Sequence, residues 1–102
     1  MDHELDELRR EFLAEAEEKV REMQTALDGD ASSEALERLS YLAHQLKGSG
    51  GSYGYQRISA DAAEIEKAVE SGDGSLAAKV KQHVENLRAE IDRGTKELSA
   101  HA

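Results

Sequence analysis

Along most of this chain apolar residues recur at every third or fourth position, and nowhere do they alternate with polar ones as a half-buried strand requires. Leu5, Leu8, Phe12, Ala16, Val20, Met23 and Leu27 make the first such stripe, which closes near "DGD" at Asp28 to Asp30. A second carries Ala35, Leu39, Leu42 or Ala43, Leu46, Gly50 and Tyr53. Ser32 or Ser33 is placed to cap its start, and Gly54 to mark its end. Ile58, Ala62, Ile65 and Val69 form a third stripe, stopped by "SGDG" at Ser71 to Gly74. Leu76, Val80, Val84, Leu87, Ile91 and Leu98 form a fourth. Each has the period of an amphipathic α-helix.

Four helices with one apolar stripe each can bury those stripes only against one another, and short connections make sequence neighbours antiparallel. The pattern therefore predicts an all-α fold, an up-down antiparallel four-helix bundle. A coiled-coil oligomer would need a long heptad seam, which Gly29, Gly54 and Gly72 interrupt. Since the four stripes satisfy one another, a monomer is expected. At 102 residues the chain has room for one core, so residues 1–102 are read as a single domain. Proline is absent, as suits long unbroken helices, and the few aromatic residues leave the core mainly aliphatic.

One stretch fits this economy badly. In "YLAHQLKGSGGSYGYQR", Tyr41 to Arg57, four glycines follow a histidine and a lysine. Each glycine in a helix interior costs roughly 1 kcal/mol relative to alanine. If the second helix runs through them, side chains advance by about 100° per residue. With His44 at zero, Ala35, Leu39, Leu42, Leu46 and Tyr53 fall within about 40° of the opposite side. Glu37, Ser40, Gly48 and Gly51 cluster around the histidine, with Lys47 about 60° away. His44 thus points to solvent. Gly48 and Gly51, one and two turns further on, let another molecule bring its backbone close to the imidazole. Lys47 offers a mobile cation to a phosphoryl group near the ring. Gly50 and Gly54 lie nearer the core and suit tight helix packing.

Charge narrows the possible partners. A net charge of −9 opposes binding to nucleic acid and attraction to anionic membranes. Without cysteine there is neither a disulfide framework nor a thiolate metal site. The N-terminus "MDHELDEL" is acidic and lacks the apolar region of a signal peptide, and no apolar run approaches a membrane span. A cytoplasmic domain is expected.

Complete active sites are not suggested by the spacing. "GSGGSYG" departs from the dinucleotide pattern, no strand precedes it, and a Walker lysine would follow the glycines, whereas Lys47 precedes them. His3, His83 and His101 are scattered, with no metal-ligand spacing, so no metal is expected; His83, beside Val84, reads as a flanking residue. What a single exposed histidine does allow is phosphoryl carriage. An imidazole's ordinary pKa of about 6.5 leaves it largely neutral, and so nucleophilic, at pH 7. It then holds a phosphoryl group as a phosphoramidate, with activation and metal supplied by the partner.

"HQLKGSGGSYG", His44 to Gly54, resembles the H-x-[LI]-K-G-x-x-x-x-x-G signature of histidine-containing phosphotransfer (HPt) domains, matching at His44, Leu46, Lys47, Gly48 and Gly54. The resemblance implies a four-helix bundle phosphorylated on His44 through Nε2. It gives Lys47 a phosphoryl-contacting role, makes Gly48 the clearance for the partner, and has Gly54 close the helix and allow packing against the next. The implied partners are response-regulator receiver domains or a histidine kinase; Mg²⁺ is expected on the receiver only, and no cofactor on this chain. The chain would be a stoichiometric phosphotransfer intermediate without kinase activity of its own. Gly51, Tyr53 and "FLAEAEEKV", Phe12 to Val20, look more like the phosphoacceptor domain of chemotaxis-type histidine kinases. Those domains tend to carry a glutamate about 22 residues after the histidine that accepts a hydrogen bond from Nδ1, and Glu66 stands at that separation.

Glu66 has a physical case of its own: a carboxylate accepting Nδ1–H would fix the tautomer with Nε2 free to attack. It is equally placed to pair with Lys67, Arg57 or solvent. Tyr41, Tyr53 and Tyr55, with Arg57 and Lys67, are the candidates for a receiver-docking rim alongside Gly48 and Gly51. Two readings compete with the relay phosphocarrier. One is a chemotaxis-type phosphoacceptor domain phosphorylated in trans from ATP by a separate catalytic core. The other is an acidic helical adaptor that carries no phosphate, in which case the glycines have no explanation. A zinc or nucleotide binder is disfavoured by the spacing.

Overall fold

Each predicted stripe becomes the buried face of one helix. The computed structural model describes residues 3–29, 32–72 and 76–100 and contains α1 (His3–Asp28), α2 (Ser33–Ser52), α3 (Gln56–Ser71) and α4 (Leu76–Ala100). Among the described residues there is no strand. Every helix packs against its two neighbours in the ring α1–α2–α3–α4, which closes through α4 and α1. Cross-helix contacts give the antiparallel sense. Arg10, early in α1, donates to the Leu98 carbonyl late in α4, and Arg38, early in α2, meets Glu22 late in α1. The bundle measures 47 × 20 × 19 Å, its length set by α1 and α4.

Phe12, Leu13, Ala16, Val20 and Met23 of α1 share one core with Leu39, Leu42, Ala43 and Leu46 of α2, Ile58, Ala62, Ile65 and Ala68 of α3, and Val80, Val84, Leu87, Ile91 and Leu98 of α4. Several expected core residues sit further out: Leu5, Leu27 and Ala35, near helix ends, are half-buried, and so is Tyr53. Leu8 is 45% exposed because it lies about 90° around α1 from the centre of the buried stripe, beyond its edge. Val69 is half-buried, and Ala68 beside it takes the core position. Leu13, which the stepwise pattern omits, is buried.

The helix ends follow local rules. Ser32, rather than Ser33, caps α2, its Oγ accepting from the Ala35 N–H at 3.1 Å. α2 runs through the glycines to Ser52 and ends in a Schellman motif: Tyr55 N–H donates to the Gly50 carbonyl and Gly54 N–H to that of Gly51. The motif needs a left-handed residue, and Gly54 supplies it with φ 85°. That conformation, and not clearance, is what Gly54 contributes to the packing of α3, since a Cβ there would meet nothing within 4 Å. Gly72 ends α3 in the same left-handed region, and Asp30 and the remainder of "SGDG" lie outside the described residues. The Tyr53 and Tyr55 rings, flanking Gly54, both stack on Phe12, with centroids 5.2 and 5.6 Å away. The α2–α3 turn is thereby anchored to α1.

Candidate functional site

α2 and α3 meet backbone to backbone at Gly50, six residues beyond His44. A Cβ on Gly50 would stand 3.1 Å from the Ser59 nitrogen and 3.3 Å from both Ile58 Cγ2 and the Tyr55 carbonyl oxygen. Glycine at 50 therefore lets the two backbones meet. Ser59 Oγ donates to the Lys47 carbonyl at 2.8 Å, adding a polar clasp across the same seam. With the helices held this close, residues of α3 two turns beyond Ser59 come level with His44.

The residue that arrives there is Glu66. His44 Nδ1 is 2.9 Å from Glu66 Oε2, and Lys47 Nζ is 3.3 Å from Oε1. The histidine side chain is 69% exposed while the glutamate is only 17% exposed, so the carboxylate is recessed and the ring stands above it. Burial alone would raise the pKa of the Glu66 carboxyl. The hydrogen bonds and positive charges of His44 and Lys47 outweigh it and hold the pKa below the usual value. An ionised carboxylate only accepts hydrogen bonds, so Nδ1 carries the hydrogen in this contact, and in the neutral form of the ring the lone pair stands on Nε2.

The other residues singled out from the sequence divide into two groups. Gly48 is exposed, and a Cβ on it would meet nothing within 4 Å, which leaves open space beside the ring. Tyr41, on the same face, is 53% exposed, with the Arg38 guanidinium 5.6 Å from its ring centroid and its hydroxyl accepting from Gln45. Gly51 is half-buried at the α2–α3 seam, where its missing Cβ would touch Ser59 Oγ at 3.7 Å, so it belongs to the helix contact more than to the open face. Tyr53 and Tyr55 are committed to Phe12 and form the wall of the core; they leave the histidine face because α2 turns Tyr53 to the side opposite His44. Burial raises the Tyr55 phenol pKa; Arg9 opposes this, and Glu97 and Asp6 add to it. Arg57 faces α4, 3.6 Å from Glu90, and Lys67 pairs with Glu64. Of the proposed docking rim, Tyr41 and Gly48 share the open surface of His44.

A family model for the Hpt domain matches residues 7–93. The chain belongs to the Hpt domain family. Hpt domains carry phosphoryl groups on histidine in two-component signalling, interact with kinases and receiver domains, and have no catalytic activity of their own. Neither a characterised protein nor a solved structure gives a match to the chain. The four helices and their single core agree with the bundle typical of Hpt domains. No helix of the described residues is long and apolar enough to cross a membrane.

Sequence reasoning passed over Ser59, whose clasp on Lys47 helps set the α2–α3 spacing. A lone serine opening a helix gives no signal of a bond to a carbonyl twelve residues earlier. Also missed was His83, which is not a mere neighbour of Val84: its Nδ1 is 2.9 Å from Asp61 Oδ1.

Proposed function

We propose that this Hpt domain is a phosphocarrier in which His44 accepts a phosphoryl group and exchanges it with an aspartate of a response-regulator receiver domain. The reading rests on one observation: an exposed imidazole whose Nδ1 is held 2.9 Å from a recessed carboxylate, with Gly48 leaving open space beside it. In the step itself the Nε2 lone pair attacks the phosphorus of the receiver's aspartyl phosphate. The P–O bond to the aspartate breaks, the carboxylate returns to the receiver, and an N–P bond forms. The Nδ1 proton stays in its bond to Glu66, which stabilises the imidazolium character that develops. Lys47 has three N–H donors, so it holds Glu66 and also takes a phosphoryl oxygen. Mg²⁺ belongs to the receiver. Residues 1–102 act as a single domain, cytoplasmic and monomeric, with Tyr41 and Gly48 at the docking surface.

The glutamate at this position favours a second reading, a phosphoacceptor domain of the chemotaxis-kinase type labelled in trans from ATP by a separate catalytic core. Both use His44. A phosphotransfer assay separates them: wild type and His44→Gln are offered a phosphorylated receiver, and separately a kinase core with ATP. An acid-labile, alkali-stable label on wild type from the receiver alone is the expected result. Label from the kinase core and none from receivers moves the assignment to the second reading. Label from neither source returns the protein to the adaptor class.

A further inference from the structure

The histidine site has a counterpart on the other side of α3. His44 and Glu66 are 22 residues apart, and so are Asp61 and His83. In each pair the histidine Nδ1 lies 2.9 Å from a carboxylate oxygen supplied by α3. In each, the residue three positions after the histidine donates to the same carboxylate: Lys47 to Glu66 at 3.3 Å, and Asn86 to Asp61 at 3.2 Å. Asp61 and Glu66, five residues apart, are separated by about 140° around α3, so one faces α4 and the other α2. A carboxylate only accepts hydrogen bonds, so Nδ1 carries the hydrogen in the Asp61 contact, and in the neutral form of the ring the lone pair stands on His83 Nε2.

Access differs between the two sites. Four residues beyond His44 stands Gly48, with open space around it; four beyond His83 stands Leu87, which is in the core. His83 is only 26% exposed. This ring is less open to a protein backbone than that of His44. The ring instead lines a hollow of about 270 Å³ between α3 and α4, with Glu64, Lys67, Ala68, Ser71 and Lys79. That volume suits a small molecule, and its lining includes two cationic residues able to meet a phosphate, Lys79 and Lys67, the latter 3.6 Å from Glu64.

We propose that His83 is a second phosphoryl-accepting imidazole, served by a small acyl phosphate and not by a receiver domain. The Nε2 lone pair attacks phosphorus, the P–O bond to the acyl group breaks, the free carboxylate leaves, and an N–P bond forms. The proton on Nδ1 remains shared with Asp61, which acts as a positioning residue. Asn86 donates to the same Asp61 oxygen, Oδ1, at 3.2 Å.

The test uses the full chain carrying His44→Gln, incubated with acetyl phosphate and followed by intact mass, with the site mapped by proteolysis at alkaline pH. One added phosphoryl group, acid-labile and mapping to His83, is expected, and it disappears in the His44→Gln/His83→Gln double variant. Adding Asp61→Asn should slow labelling about tenfold and shift the His83 ring ¹⁵N resonances away from the Nδ1–H tautomer. No phosphoryl group on the His44→Gln chain, acetyl groups alone, or a label that survives in the double variant would each overturn the proposal. Because the background lacks His44, these outcomes are independent of the phosphocarrier assignment.

Discussion

Two glycines two positions apart stand in opposite surroundings, and alanine should have opposite effects on them. At Gly48 an added methyl enters open space in a helix interior, so Gly48→Ala is expected to stabilise the fold by up to about 1 kcal/mol. The same methyl occupies the approach to His44, and transfer from a phosphorylated receiver should slow by roughly tenfold or more. Thermal denaturation beside a stopped-flow transfer assay checks both; a variant transferring at the normal rate would remove Gly48 from the docking surface. At Gly50 the methyl meets the Ser59 nitrogen at 3.1 Å, and Gly50→Ala should cost about 1–3 kcal/mol. Helical projection from the sequence separates these two faces, because facing is a property of one helix. It groups Gly51 with Gly48, however, and only the position of α3 shows Ser59 covering Gly51.

The α2–α3 hairpin is the element that builds the site. Its Schellman turn reverses the chain within three residues, Tyr53 to Tyr55, and the approach at Gly50 sets the spacing that brings Glu66 to His44. Gly54→Ala forces a side chain into φ 85° and should cost about 1–2 kcal/mol, with Gly54→Asn milder. Chemical denaturation of both variants checks the ranking; equal stabilities would mean the turn relaxes out of the left-handed region. Gly54 is legible as a helix stop in the sequence, since glycine after a periodic segment is a local signal. The stacking of Tyr53 and Tyr55 on Phe12 is not, because it joins residues more than forty positions apart.

At the scale of the whole bundle, the Glu66 contacts tie α2 to α3 through charge, and so couple stability to pH. Folding holds the Glu66 carboxyl below its ordinary pKa. Its contribution is fully present above the unfolded value of about 4.3. As pH falls, the unfolded chain takes up the proton first, and the contribution is lost progressively down through the folded pKa. Glu66→Gln should therefore flatten the fall of stability with acid below about pH 5, measured as urea midpoints at a series of pH values. Identical slopes for the two proteins would mean the carboxylate gains nothing from His44 and Lys47.

The sequence by itself determined the four helices, their order and ends to within a residue or two, the exposure of His44 and the Hpt signature around it. All of these follow from a period of about 100° per residue and from local capping chemistry, which neighbouring residues settle among themselves. Only the tertiary structure decided which carboxylate stands opposite which histidine. The resemblance to chemotaxis-type phosphoacceptor domains makes Glu66, 22 residues on, a candidate partner for His44, yet Arg57, Lys67 and solvent were equally open to it until the rotation and register of α3 against α2 were known. That register is set jointly by core packing from all four helices, by the close approach at Gly50 and by the Phe12 stack. The same packing turned His83 from a bystander into the partner of Asp61.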